Sequence, residues 1–130
     1  VILIGAVDND KSRQLCHKAF LKAENLIYID SGNGEFSGQV VCGARRNGRT
    51  VRKPVGGVFP ELLKVQDRFP SELSCAEASL ADPQSITAAT IVVDMVYNIL
   101  VNGECSARQT DFSTKTVRMS TTLDKNRSAA

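Results

Sequence analysis

The sequence predicts an α/β domain with a mixed sheet, a β-hairpin, a long crossover loop and a long buried helix. Three observations carry that expectation. The apolar run Val1 to Val7 ends abruptly in Asp8-Asn9-Asp10, and an amphipathic segment follows at once. A buried strand of an open α/β sheet delivers polar groups to its carboxyl edge in this way, and ligands bind there. Apolar residues recur at helical spacing between Asp82 and Gly103, too long a run for a strand. Asn47-Gly48 separates two strand-like runs and is a strong short-range hairpin signal.

Each element has its own signature. Val1 to Val7 reads as the first strand, interior to a sheet, so the chain is expected to open in mid-fold. Lys11 to Ala23 reads as a helix capped by Asn9 or Asp10, with Leu15, Cys16, Ala19, Phe20 and Ala23 on its buried face. His17 falls off that stripe and is expected at the surface. Leu26 to Asp30 is a second strand running into the turn-rich Asp30-Ser31-Gly32-Asn33-Gly34, whose glycines suit positive φ. Gln39 to Arg46 is a third strand, and its hairpin partner runs from Arg49 to Lys53 and stops at Pro54.

From Pro54 to Ser74 periodicity is low and Gly56, Gly57, Pro60 and Pro70 break the chain, leaving room for one short helix, Pro60 to Val65. Loops this long inside a compact domain are usually functional. The next helix has Asp82 as N-cap, Pro83 at its first position and Gly103 just past its end. Ile86, Ala89, Val92, Val93, Val96, Ile99 and Leu100 form its stripe, and Ile91 and Met95 spread apolar character to other faces. Such a helix is expected to be mostly buried. Glu104 to Asp111 and Thr116 to Ser120 read as a terminal strand pair. Residues 1–120 then make one unit, with 121–130 a polar tail.

Composition bounds the partners. A net charge of +2 over 130 residues does not call for nucleic acid, and no apolar run is expected to approach the ~20 residues of a membrane span. Cys16, Cys42, Cys75 and Cys105 include no Cys-x-x-Cys pair, so the spacing of a zinc ribbon is absent. All four lie beside apolar residues, and reduced thiols in a cytoplasmic protein are the expectation.

These motifs, in this order, resemble one family. Val7-Asp8-Asn9-Asp10-Lys11-Ser12-Arg13 looks like the strand, Asp-Asn and first-turn Arg of the ThiF/MoeB proteins, bacterial relatives of ubiquitin-activating enzymes. Tyr28-Ile29-Asp30-Ser31-Gly32-Asn33-Gly34 and Ser37-Gly38-Gln39-Val40-Val41 are similar to the strands that follow in that family, most of all in the ThiF-like proteins of bacterial PRTRC systems. Phe59-Pro60-Glu61-Leu62 and Ser74-Cys75-Ala76-Glu77-Ala78-Ser79 extend the likeness, which covers roughly Val1 to Asp111.

The resemblance implies a Rossmann-like half-domain of an ATP-dependent adenylyltransferase, which activates the C-terminal carboxylate of a small ubiquitin-like or sulfur-carrier protein and releases pyrophosphate. It implies that Asp8 holds the magnesium on the nucleotide, that Asn9 and Arg13 shape the pocket, and that Cys75 takes part in sulfur transfer or a covalent acyl link. It also implies a homo-oligomer. Magnesium bridging phosphates does take one or two carboxylates. By residue type alone, Asp8, Asn9 and Asp10 equally suit a helix cap. Cys75, with no neighbouring cation in sequence, equally suits packing.

The chain departs from the family in lacking the Gly-x-Gly-x-x-Gly turn that seats ATP phosphates on a helix N-terminus. Gly32-Asn33-Gly34 has no third glycine and opens no helix, so the chain resembles the C-terminal half of such a domain and is expected to be inactive alone. One alternative is a non-catalytic scaffold, a degenerate relative that binds a ubiquitin-like partner. Another is half of a nicotinamide-dependent dehydrogenase, which the Asp-Asn-x-x-x-Arg pattern disfavours. Arg45, Arg46, Arg49, Arg52 and Lys53 cluster around the hairpin without aromatic residues to stack on bases. That pattern suits a solvated, charge-protected sheet edge, or else an acidic protein partner.

Overall fold

A computed structural model describes residues 1–6, 10–33, 36–63 and 83–124. The expectations for Val7, Asp8, Asn9 and Cys75 lie outside the described residues, as does Asp82. The elements are β1 (Ile2–Gly5), α1 (Asp10–Lys22), β2 (Leu26–Asn33), β3 (Ser37–Arg46), β4 (Arg49–Arg52), α2 (Val55–Val58), a 3-10 turn (Pro60–Leu63), α3 (Pro83–Asn102), β5 (Ala107–Ser113) and β6 (Arg118–Leu123). They form the expected α/β architecture, a mixed sheet with a hairpin and a long helix, consistent with a Rossmann-like half-domain.

The sheet runs β1-β2-β3-β5-β6, with β4 also on β3. Only β1 and β2 are parallel among these pairs, with Gly5 opposite Asp30. β3 is the spine. One side pairs with β2 along its length, while the other pairs with β5 from Ser37 to Val41 and with β4 beyond Ala44. Asn47 and Gly48 both have positive φ, 54° and 77°, the conformation a two-residue hairpin of the right twist requires.

Alternation along the strands sends side chains to two cores. Ile29, Val40 and Cys42 meet Ala88, Ile91 and Met95 of α3, with Phe112 and Cys105 closing that side. Tyr28 and Val41 meet Phe20 of α1 and Val55 of α2 on the other. Both faces are covered, which explains why Val40-Val41-Cys42 is apolar without alternation.

Several expectations are corrected. α3 buries Gln84, Ala88, Ile91 and Met95, while Ile86, Val93 and Leu100 of the expected stripe are 62%, 64% and 71% exposed. The helix is apolar on both sides, and periodicity alone could not say which side faced the sheet. It is long and apolar enough to cross a membrane by length and composition. The expectation that no apolar run approaches that length is thereby corrected, and core helices of soluble proteins can be as long and as apolar.

Leu15 of α1 is likewise exposed, because Arg13, Cys16 and Phe20 turn inward instead. β2 continues through Ser31 and Gly32 to Asn33 because Gly38, Gln39 and Val40 of β3 complete its ladder. α2 forms across Gly56 and Gly57. A side chain at Gly56 would put its Cβ 2.6 Å from Leu63 Cδ1 and 2.7 Å from His17 Nδ1, so close packing against α1 and the 3-10 turn requires the glycine. β5 begins at Ala107, later than expected, and β6 reaches Leu123, into the expected tail.

Candidate functional site

The carboxyl end of the parallel β1/β2 pair holds a buried polar cluster. Tyr28 and Asp30, two residues apart on one strand, point to the same face of the sheet, and both are 0% exposed. Tyr28 Oη donates to Asp30 Oδ1 at 3.0 Å. Arg13, from the first turns of α1, is 7% exposed. Its Nε donates to Oδ1 at 3.4 Å and lies 3.3 Å from Oδ2. The second contact lacks hydrogen-bond alignment, so Oδ2 is a buried acceptor with no hydrogen bond.

One glycine makes the room: opposite Asp30, a Cβ on Gly5 would fall 2.6 Å from Oδ1 and 2.9 Å from the Tyr28 ring. Burial pushes the Asp30 carboxyl above its ordinary range, with Arg13 and the Tyr28 hydroxyl pulling the other way. Burial, reinforced by the Asp30 charge, pushes the Tyr28 phenol far up. Tyr28 is therefore a fixed donor to Asp30 at neutral pH.

β1 ends at Gly5 and α1 begins at Asp10. The segment carrying Asp8 and Asn9 thus joins the strand beside Asp30 to the helix that supplies Arg13. Of the expected site residues, Arg13 is described, and it is held by Asp30. The sequence reading missed Asp30 and Tyr28 as its partners. The available signal was Tyr28-x-Asp30 at the end of an apolar strand, one same-face step apart. Asp30 does not fit a resident cation, being fully buried beside a guanidinium. No group of three or more metal-ligating side chains occurs among the described residues.

His17 is not a surface residue. It is half-buried under α2, its Nδ1 is enclosed without a hydrogen bond, and burial lowers its pKa. Beside it, Gln14 Nε2 donates to the Leu63 carbonyl and ties α1 to the 3-10 turn.

The basic hairpin is partly structural. Arg45 donates to the carbonyls of Ala23 and Gly48 and to Thr50 Oγ1, and it stacks 5.9 Å from the Phe20 ring centroid. Arg52 pairs with Asp124 at 3.1 Å. A cleft of about 510 Å³ opens at the amino-terminal end of β2, lined by Cys42, Arg52, Cys105 and Asp124 among others. Cys16, Cys42 and Cys105 are free thiols. Burial and the nearby Cys105 push the Cys42 thiol up to about 11, so it is un-ionised and a poor nucleophile at neutral pH.

The arrangement can fix the first turns of α1 over the carboxyl edge of the sheet. It cannot itself deliver a base or a nucleophile, because every described polar group of the cluster is spent internally or enclosed. No protein-family model matches the chain, and no curated protein matches it in sequence.

Proposed function

We propose that this chain is the carboxyl-edge half of a ThiF-like adenylation domain, which activates the C-terminal carboxylate of a ubiquitin-like or sulfur-carrier protein with magnesium-ATP as the co-substrate. The observation that supports this reading is the buried Arg13–Asp30–Tyr28 cluster at the end of the parallel strand pair. It anchors α1 where open α/β sheets bind their ligands, and the Asp8-Asn9 segment lies between the two elements it anchors.

In this reading Asp8 would be the carboxylate that holds the magnesium arriving on the nucleotide. Asp30 and Tyr28 hold Arg13, and Arg13 holds the helix start, so the cluster positions rather than reacts. The attack is made by the carrier's carboxylate on the α-phosphorus. The bond to pyrophosphate breaks, and an acyl-adenylate and pyrophosphate result.

A second reading, a non-catalytic scaffold for a ubiquitin-like partner, is favoured by one observation. Arg13 is committed to Asp30, whereas an adenylating site needs cations for its phosphates.

ATP–pyrophosphate exchange separates the two, measured on the protein that carries this sequence, with a small ubiquitin-like carrier ending in glycine. Asp8→Ala lowers exchange at least a hundredfold, roughly 2.7 kcal/mol at the transition state. Its stability falls by only ~1 kcal/mol, the worth of a helix cap. Exchange retained while the melting temperature drops makes Asp8 a cap and the scaffold the better reading.

A further inference from the structure

Cys42 and Cys105 are brought to one place in the fold. Both belong to the core layer under α3, with Ile29, Val40 and Met95, and both line the cleft of about 510 Å³ at the amino-terminal end of β2. Strand pairing puts them there. On the side away from β2, β3 pairs with β5 as far as Val41, which faces Gln109, and with β4 from Ala44 onward. Cys42 stands at the break between those two partners. Cys105 lies just before β5 on the irregular 103–106 connection, and its thiol turns toward the strand, donating to the Ala107 carbonyl at 3.7 Å. The sulfurs are near enough for charge on one to act on the other. Cys16 has no such neighbour among these thiols, because it packs beside Phe20 and Tyr28 on the opposite face of the sheet.

We propose that Cys42 and Cys105 are a dithiol that a hydroperoxide closes to a disulfide and a dithiol reductant reopens, a redox-sensitive staple between β3 and the end of α3. A disulfide needs its two Cα atoms within about 7 Å, and the connection supplies the adjustment. Gly103, at φ 83°, has already ended the helix, Glu104 is exposed, and no strand begins before Ala107. Cys105 can therefore turn toward Cys42 without unravelling either element.

The order of reaction follows from burial. Cys105, 7% exposed at the cleft, is the sulfur that a small oxidant reaches, whereas Cys42, at 1%, stays protonated at neutral pH and reacts second. The Cys105 thiolate attacks one oxygen of hydrogen peroxide, the O–O bond breaks, and a sulfenic acid forms while the other oxygen leaves as hydroxide and takes up a proton. The Cys42 sulfur then displaces the sulfenic hydroxyl. The S–O bond breaks, the S–S bond forms, and the hydroxyl leaves as water with the Cys42 proton. Two thiols have lost two electrons and two protons, and one peroxide has become two waters. The Arg52 guanidinium beside Cys42 favours its thiolate at that step and is itself held by Asp124 at 3.1 Å.

The bridge would close a loop that holds the hairpin, α2 and α3, which pack on opposite faces of the sheet. Restricting so long a loop in the unfolded chain favours the folded one. The staple lies at the other end of β2 from the Arg13–Asp30–Tyr28 cluster and needs no nucleotide, so it stands whichever reading of the carboxyl edge holds.

The test treats the folded full chain with hydrogen peroxide, alkylates it, digests it without reduction and maps the peptides by mass spectrometry. Cleavage after glutamate as well as lysine and arginine separates Cys75 from Cys105 at Glu77. The Cys42 and Cys105 peptides are expected joined, lighter by two hydrogens than their sum and released by dithiothreitol, with Cys16 alkylated. The oxidised chain is expected to melt higher than the reduced one, by ~5 °C or more, and Cys105→Ser to show no such rise. The mapping uses the unaltered chain, so it does not depend on a variant that folds. No bridge, or Cys105 carried on to the sulfinic acid instead, overturns the proposal. So does a bridge from either thiol to Cys16 or Cys75, or one between two chains. A bridged chain that melts no higher than the reduced one overturns it too, since the bond would then form only at the expense of the core.

Discussion

Asp30 is a carboxylate with no access to solvent, tolerated because Arg13 and Tyr28 supply a charge and a hydrogen bond. Burial still dominates and raises its pKa above the ordinary 3.8. The folded chain therefore holds this proton more tightly than the unfolded one. The contribution of Asp30 to stability is full below about pH 3.8 and is lost as pH rises through the folded value. Removing Arg13 takes away the compensating cation and raises that value further. Arg13→Met is expected to cost ~3 kcal/mol at neutral pH, the usual result of stranding one partner of a buried pair. The cost is smaller at about pH 3, below the unfolded value, where the carboxyl holds a proton in both states. Urea unfolding at the two pH values checks this, and an equal loss at both would mean that Asp30 does not depend on Arg13. His17 works in the opposite sense. Its pKa is lowered from 6.5 by burial, so its stability is present above 6.5 and lost as pH falls through the folded value. His17→Gln should flatten the fall in melting temperature between about pH 7.5 and about pH 5.5, and an unchanged slope would assign that fall to other groups.

Glycines set how closely the elements approach one another. A Cβ on Gly43 of β3 would lie 2.6 Å from Pro54 Cα, which is backbone and cannot swing away, whereas one on Gly57 would meet Pro54 Cδ at 3.3 Å. Gly43→Ala is therefore expected to destabilise by ~2 kcal/mol or more through overpacking. Gly57→Ala should stay within ~1 kcal/mol, since alanine also favours the helix. Thermal unfolding of the two variants decides it, and equal costs would show that the loop after β4 moves to accommodate either one. The same close contacts mark what was legible in the sequence. The hairpin was legible because Asn47-Gly48 carries its own backbone chemistry, and α3 because Pro83 opens it and Gly103, at φ 83°, ends it. α2 was not, because the need for Gly56 arises from His17 and Leu63, distant in sequence. The buried side of α3 was also hidden, since both of its sides are apolar and only the sheet distinguishes them. Of the site, Arg13 was legible from its place in a strand-to-helix motif. Its capture by Asp30 was not, because the pairing spans 17 residues and depends on the register of β1 against β2.

At the scale of the whole molecule, the question is whether a sheet with one parallel pair can bind a nucleotide. Phosphate sites on α/β folds combine a glycine-rich turn, a helix N-terminus and cations that offset the charge. The sequence has no Gly-x-Gly-x-x-Gly, and Arg13 already serves Asp30. Arg45 and Arg52 bind Ala23 and Asp124 around the hairpin, near the cleft at the amino-terminal end of β2 rather than at its carboxyl end. The Asp8-Asn9-Asp10 run of the sequence adds two carboxylates and no cation to offset phosphate charge. The chain by itself is therefore expected to bind magnesium-ATP with a dissociation constant well above ~1 μM, the equivalent of about −8 kcal/mol. Titration calorimetry with ATP and magnesium measures it directly. Binding near or below ~1 μM would mean that residues outside the described set supply the missing cations. The buried cluster would then be the support of a complete nucleotide site rather than of half of one.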